Sequence, residues 1–309
     1  MGQTIACANQ KGGVGKTTTV VNLATDLALA GDRILVIDLD PQGNATSGLG
    51  VDRRTVKRSI YDVLVDGAGI ADAVISIEST GVGLVPSAPA LAGAEVELAT
   101  MNSRERRLAR AIAPLDGTYD LILIDCAPSL GLLTVNALTA ADSVLIPLQC
   151  EYYALEGLGQ LIGTIHLVRD HLNPRLTIQG VLLTMFDART NLSAEVRAEV
   201  RRHLGPVVFD TLIPRSVRLS EAPSHGLPIA LYEADSKGAR AYNAFSREFR
   251  ARMQAVEPAA TSTSMPAREP IPVMAGTGAG SRAAGTPPAT AGAPPATTGT
   301  PTPHPAGVH

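Results

Sequence analysis

The sequence predicts a doubly wound, mostly parallel α/β sheet with helices on both faces. Three observations predict it. Apolar strand patterns alternate with helical patterns along most of the chain, several strands are unbroken apolar runs, and glycine-rich or acidic segments follow the strand ends. Strand-then-helix alternation buries a parallel sheet between two helical layers. A strand covered on both faces reads as a continuous run, as Leu121-Ile122-Leu123-Ile124 does. Ligands in such sheets bind at the carboxyl ends of the strands.

Taken in order, the first strand covers 3–8, and its apolar run Thr4-Ile5-Ala6-Cys7-Ala8 leads into a glycine-rich loop. A helix over 17–30 follows, because Val20, Leu23, Ala24, Leu27 and Ala28 recur at helical spacing. Further strands are expected at 33–38, 82–86, 120–125, 143–148 and 178–185, with a short one at 207–210. Helical patterns fill 90–112, 131–140, 154–171, 192–204 and 237–254. From Glu257 onward the chain is Pro, Ala, Thr and Gly and holds 11 of the 22 prolines. Such a segment cannot bury enough surface to offset its ordering entropy. The expected organisation is one α/β domain over 1–256 and a disordered tail over 257–309.

Composition narrows the function. The net charge of −3 argues against a generally basic nucleic-acid binder. The charge is unevenly spread, however: residues 186–256 hold 11 Lys and Arg against 8 Asp and Glu, and all but Lys237 of those cations are arginines. Arginine suits phosphate contacts. Three cysteines without C-x-x-C spacing fit reduced thiols. The sequence shows neither a signal-peptide pattern nor an apolar run of membrane-spanning length, so a soluble, cytoplasmic protein is expected.

The loop carries the chemistry. Residues 10–18 read Gln-Lys-Gly-Gly-Val-Gly-Lys-Thr-Thr. Gly12, Gly13 and Gly15 let the backbone curl so that successive N–H groups face phosphate oxygens. The following helix aims its positive end at the same place. Lys16 stands where it reaches the β- and γ-phosphates, and the Thr17 hydroxyl where it holds Mg²⁺. A plain glycine turn between strand and helix needs none of these polar residues. Lys11 is a second lysine that an ordinary phosphate loop does not require.

The whole run resembles the deviant Walker A box of the ParA/MinD group of ATPases. Asp38-Leu39-Asp40-Pro41-Gln42-Gly43-Asn44-Ala45-Thr46, Gln149-Cys150-Glu151-Tyr152-Tyr153-Ala154-Leu155-Glu156-Gly157 and Ile213-Pro214-Arg215-Ser216-Val217-Arg218-Leu219-Ser220-Glu221-Ala222-Pro223-Ser224 resemble the chromosomal ParA (Soj) branch in particular. The similarity runs from about residue 3 to about residue 255. It implies ATP and Mg²⁺ as ligands, with Lys11, Gly12, Gly13, Val14, Gly15, Lys16, Thr17 and Thr18 around the nucleotide. It implies that Lys11 crosses an ATP-bound homodimer to the partner's phosphates, like an arginine finger acting in trans. Pro214 and Arg215 resemble the family's adenine-side loop.

Asp125 ends an apolar strand, the Walker B pattern, which puts its carboxylate near Mg²⁺ or its water shell. Asp38 and Asp40 end the second strand. By resemblance Asp40 positions the attacking water, with the metal nearby, and Asp38 lies near the phosphates. Simpler readings exist for each: a capping Asp for Asp125, a turn residue before Pro41 for Asp40, and a solvated loop lysine for Lys11.

Arg189 and Arg218 match positions that bind duplex DNA without sequence preference in the chromosomal branch. Arg197, Arg201 and Arg202 interleave with Glu195 and Glu199 at helical spacing and read as a solvated, ion-paired face. The resemblance further implies a ParB-type centromere-binding partner that stimulates hydrolysis, a nucleoid-associated location, and a role in chromosome or plasmid segregation. Three rivals follow from the same residues. A MinD-like membrane ATPase of division-site placement needs an amphipathic membrane helix. An iron-protein type reductase needs cluster cysteines such as Cys126 and Cys150. A nucleotide-locked scaffold needs no Asp40.

Overall fold

The computed structural model describes residues 2–151 and 154–256. The elements are β1 (Gln3–Cys7), α1 (Lys16–Leu29), β2 (Ile34–Leu39), α2 (Asn44–Gly48), β3 (Ile75–Ile77), β4 (Val82–Val85), α3 (Ala94–Ala99), α4 (Arg107–Ile112), β5 (Leu121–Cys126), α5 (Leu132–Ala140), β6 (Ser143–Gln149), α6 (Ala154–His171), β7 (Thr177–Phe186), α7 (Asn191–Leu204), β8 (Val208–Pro214), α8 (Val217–Glu221), α9 (Ile229–Tyr232) and α10 (Lys237–Val256). The strands form one eight-stranded sheet in the order β3-β4-β2-β5-β1-β6-β7-β8. Every pairing is parallel except β3 with β4. This is the doubly wound sheet that the sequence predicts.

Alternate strand residues face opposite layers. Ile5, Cys7, Val36, Leu123 and Leu145 pack with α1 and α10 in one core. Tyr242, Phe245 and Phe249 of α10 are essentially unexposed there. Phe209 of β8 meets Phe245 edge to face at 4.9 Å between ring centroids, a favoured aromatic geometry. The aromatic stripe of the last helix is therefore core, not the free apolar face that a membrane anchor needs. A buried contact of 3.2 Å between Thr19 Oγ1 and the Tyr242 hydroxyl ties α10 to the helix that follows the loop.

Four features differ from the sequence reading. The single helix expected over 90–112 is broken into α3, a 3₁₀ turn at Arg104–Arg106, and α4, because Ser103 adopts a left-handed φ of 51°. The strand at 207–210 extends to Pro214, since it pairs with the long β7. The edge strand β3 is too short to show a period. The short helices α2, α8 and α9 span barely one turn and leave no periodic signal. Tyr152, Tyr153 and the 257–309 tail lie outside the described residues. Among those described, no helix is long and apolar enough to cross a membrane.

Gly2 packs against the Tyr119 carbonyl, and Arg250 and Met253 of α10 line a cavity of about 220 Å³ with Asp120 and Leu121. Both ends of the described chain thus lie beside the start of β5.

Asp26 on α1 carries a buried oxygen without a hydrogen-bond partner. Burial pushes its carboxyl up to about 6. A raised carboxyl means that the folded chain holds the proton more tightly than the unfolded one. Stability therefore falls as pH climbs from about 4 to about 6. Because the group is partly exposed, Asp26→Asn should stabilise the fold at pH 7 by only about 1 kcal/mol, or about 2–4 °C in Tm, and the gain should vanish at pH 4. Thermal unfolding at the two pH values checks this.

Candidate nucleotide site

The loop between β1 and α1 is braced from below. Asn9 is buried, donates to the Pro147 carbonyl at 2.8 Å, and accepts the Lys11 N–H at 3.0 Å. The Thr184 hydroxyl donates to the Val14 carbonyl at 2.8 Å, and Val14 is buried. Gly13 and Gly15 sit at φ of 73° and 90°, the left-handed conformation that L side chains rarely adopt. With both glycines in place, α1 starts at Lys16 with its N-terminal N–H groups turned into the loop. Gly12 lies in the turn, whereas Thr18 is already the third residue of α1, where its carbonyl accepts a bond from the Asn22 side chain.

The two loop lysines occupy opposite environments. Lys16 is only 6% exposed, and its ammonium donates to the Lys11 carbonyl at 3.2 Å. Lys11 has a side chain 42% exposed and pairs with Glu151 at 2.8 Å, just beyond β6. Arg215 approaches the same Glu151 at 3.9 Å. The adenine-side candidates Pro214 and Arg215 therefore share the rim with Lys11. The Arg215 N–H also bonds to the Phe186 carbonyl.

The carboxylates converge beneath the loop. Asp38 and Asp125 are paired across β2 and β5, and Asp125 is level with Cys7 of β1. The Thr17 hydroxyl donates to Asp125 at 2.7 Å. The other Asp125 oxygen is buried without a hydrogen-bond partner among the described residues. Burial, reinforced by the Asp38 charge, pushes the Asp125 carboxyl well above the usual range. Asp38 accepts both the Thr46 N–H and the Thr46 hydroxyl, at 2.7 and 2.6 Å. Burial still pushes it up to about 6. Asp40, two residues on and just past β2, is buried and accepts the Gln42 N–H at 2.9 Å. A buried negative cluster with one oxygen left over suits a hard cation that takes oxygen ligands and keeps several waters, as Mg²⁺ does. Of the residues expected to hold it, Thr17 and Asp125 are joined directly, and the Asp40 charge also acts on Asp125.

All three thiols are free and buried. Burial raises each, to about 11 for Cys150.

The arginines divide as follows. Arg202 pairs with Glu199 on the same helix face, as expected, whereas Arg201 is two-thirds buried and reaches Asp210 of β8 instead. Arg189 pairs with its neighbour Asp187 at 2.7 Å, with a side chain 88% exposed. Arg218 pairs with Glu221 and Glu233, each at 2.8 Å. Exposed pairs of this kind are weak, because water and salt screen them. Asn9, Thr46 and Thr184 were not apparent as site residues in the sequence, because their roles are contacts across the sheet. Only the Asp-x-Asp spacing ahead of Thr46 offered a local signal.

The family model described as an AAA domain matches residues 2–178. The sporulation initiation inhibitor protein Soj of Bacillus subtilis is 56% identical over 248 residues, covering 80% of this chain and 98% of that one. The chromosome partitioning protein ParA of Myxococcus xanthus is 54% identical, covering 80% and 88%. Among solved structures, one titled cobyrinic acid a,c-diamide synthase from Mycobacterium smegmatis, with bound ADP and magnesium, is 40% identical. It covers 82% of this chain and 96% of its own, with a TM-score of 0.73.

Asp125→Asn should relieve the buried like-charge contact with Asp38 and stabilise the nucleotide-free fold by about 1–3 kcal/mol at pH 7. The same change should weaken magnesium-dependent nucleotide binding about tenfold or more. Urea unfolding and calorimetric titration read the two effects separately.

Proposed function

The chain belongs to the ParA/Soj family of partitioning ATPases, and from that premise we propose that it is a nucleotide-gated DNA-binding dimer that segregates chromosomes or plasmids. ATP and Mg²⁺ are its ligands, a reading supported by relatives solved with ADP or an ATP analogue and magnesium. The ATP-bound homodimer grips nonspecific duplex DNA. Hydrolysis, stimulated by a ParB-type centromere-binding protein, releases it. The working location is cytoplasmic and on the nucleoid.

One observation carries this reading: one loop lysine is sunk beside the carboxylates while the other is held at the surface. Lys16 serves the nucleotide of its own protomer. Lys11, on the rim, is placed to cross to phosphates bound by a second copy. Mg²⁺, when bound, neutralises charge on the β- and γ-phosphate oxygens. Thr17 with Asp125 fixes the metal side of the site, and Lys16 with the loop N–H groups fixes the phosphates. Asp40 orients the attacking water, whose proton it can accept, and positioning supplies most of the rate in phosphoryl transfer. Arg189 and Arg218 contribute phosphate contacts that are doubled when two protomers pair, so dimerisation and DNA affinity are linked. A MinD-like membrane reading lacks support from α10, whose aromatic face is filled by β8 and α1.

Size-exclusion chromatography with ADP and with a non-hydrolysable ATP analogue tests the cycle. The analogue should yield a dimer and ADP a monomer; a monomer under both conditions rejects the proposal. Asp40→Ala should keep ATP binding, lose turnover and trap the dimer, whereas Lys11→Ala should lose turnover without accumulating a dimer. Normal hydrolysis by either variant removes that residue from the mechanism.

Arg189→Ala with Arg218→Ala should abolish retention of duplex DNA and leave analogue-driven dimerisation intact. A filter-binding assay alongside sizing distinguishes these outcomes.

A further inference from the structure

The segment from Val51 to Arg58 holds four cations, Arg53, Arg54, Lys57 and Arg58, against the single acid Asp52. It lies outside the arginine-rich region singled out above, and nothing in the nucleotide site uses it. Arg54 has a side chain 82% exposed and, among the described residues, pairs only with Asp52. Arg58 pairs with Asp72 at 2.9 Å, both exposed. Lys57 is exposed, and among the described residues it has no ion-pair partner. Pairs this open to water are weak, so their cations are available to a stronger anion.

Two contacts tie this segment to parts of the molecule already assigned. At its root, Gly50 lies against Gly226. A Cβ on Gly226 would come within 3.0 Å of the Gly50 Cα, so the approach tolerates nothing larger. Gly226 closes the turn that follows α8, the helix carrying Arg218. The basic segment therefore begins against the turn that follows the Arg218 helix. In its middle, the Arg53 guanidinium donates to the Gln42 carbonyl, in the loop that Asp40 opens. The Gln42 N–H in turn bonds to Asp40. One side chain thus links the Asp40 loop to the basic segment. The segment and residues Asp72 to Ile75 together line a cavity of about 400 Å³.

We infer that Val51–Arg58 is a second duplex-DNA contact, in which Arg54 and Lys57 meet phosphodiesters and Arg53 couples their position to the nucleotide loop. This inference rests on the DNA-binding reading above. Phosphate contacts of this kind are independent of sequence and steeply dependent on salt. A dimer carries the segment twice.

The test uses the full chain with a non-hydrolysable ATP analogue and a fluorescent duplex of arbitrary sequence, titrated across a range of salt. R54A/K57A should lower affinity about tenfold or more and reduce the salt slope by about two per protomer, with dimerisation unchanged. A control that removes two exposed cations elsewhere, R110A/R175A, should leave the slope at the parent value. Arg53→Ala should narrow the difference in DNA affinity between the ATP-analogue and ADP states. An unchanged slope for R54A/K57A, in a protein whose DNA binding is lost on Arg189→Ala with Arg218→Ala, overturns the second contact alone. A slope lowered equally by the control also overturns it. A parent chain that binds no duplex at any salt overturns this inference and the DNA-binding reading together. Vesicles with anionic headgroups form a further arm: if R54A/K57A loses vesicle binding and keeps its DNA slope, the segment is a lipid contact and the inference fails.

Discussion

Asp38 and Asp125 share one constraint: two carboxylates, wholly buried, stand opposite each other on adjacent strands with Asp40 close behind. Burying like charges together is among the costlier arrangements a fold can hold. The chain offsets the cost with the Thr46 bonds to Asp38, the Thr17 bond to Asp125 and a buried lysine nearby. It does not remove the cost, since both carboxyls are still raised and one oxygen is left without a partner. The remaining deficit is what a hard cation carrying phosphate oxygens would fill. The sheet register, the start of α1 and the bracing of the loop by Asn9 and Thr184 all hold that deficit in place.

The order of strands makes this possible. β1 lies between β5 and β6, and β2 is on the far side of β5. Three strand ends therefore deliver the phosphate loop, the Walker B carboxylate and the Asp38–Asp40 pair to one place, although the residues are far apart in sequence. The same order brings the end of β6, with Glu151, up to Lys11, and the end of β8 up to Arg215. The rim is thus an ionic surface and the floor a desolvated one. Lys11 and Lys16 differ in depth accordingly, one on the ionic rim and one on the desolvated floor.

Much of this was legible beforehand, for identifiable reasons. Continuous apolar runs mark β2, β5 and β6 because both faces of those strands are covered. The glycines and Lys16-Thr17 mark the loop because phosphate binding leaves little chemical choice. What stayed hidden depends on contacts between distant segments. Thr184 reads as one more residue of a strand until its hydroxyl is seen on Val14. Glu151 reads as part of a motif until Lys11 is seen on it. The break at Ser103 has no glycine or proline to announce it, so the 90–112 pattern reads as one helix. The basic run at 53–58 was overshadowed by the net acidity of the N-terminal part, because a charge balance averages over surfaces that the fold keeps apart.

Gly2 and the last turn of α10 both abut residues 119–121, at the amino ends of the strands and so at the edge away from the nucleotide. Residue 2 and the end of α10 are near enough for a short bridge to join them in a permuted domain that leaves out residues 257–309, with new ends opened in an exposed connection elsewhere. A reporter domain attached at this edge would trail behind the molecule, clear of the mouth where ligands enter. The geometry also separates two kinds of engineering. Changes at this edge act on the chain's attachments, and changes at the opposite edge act on its chemistry.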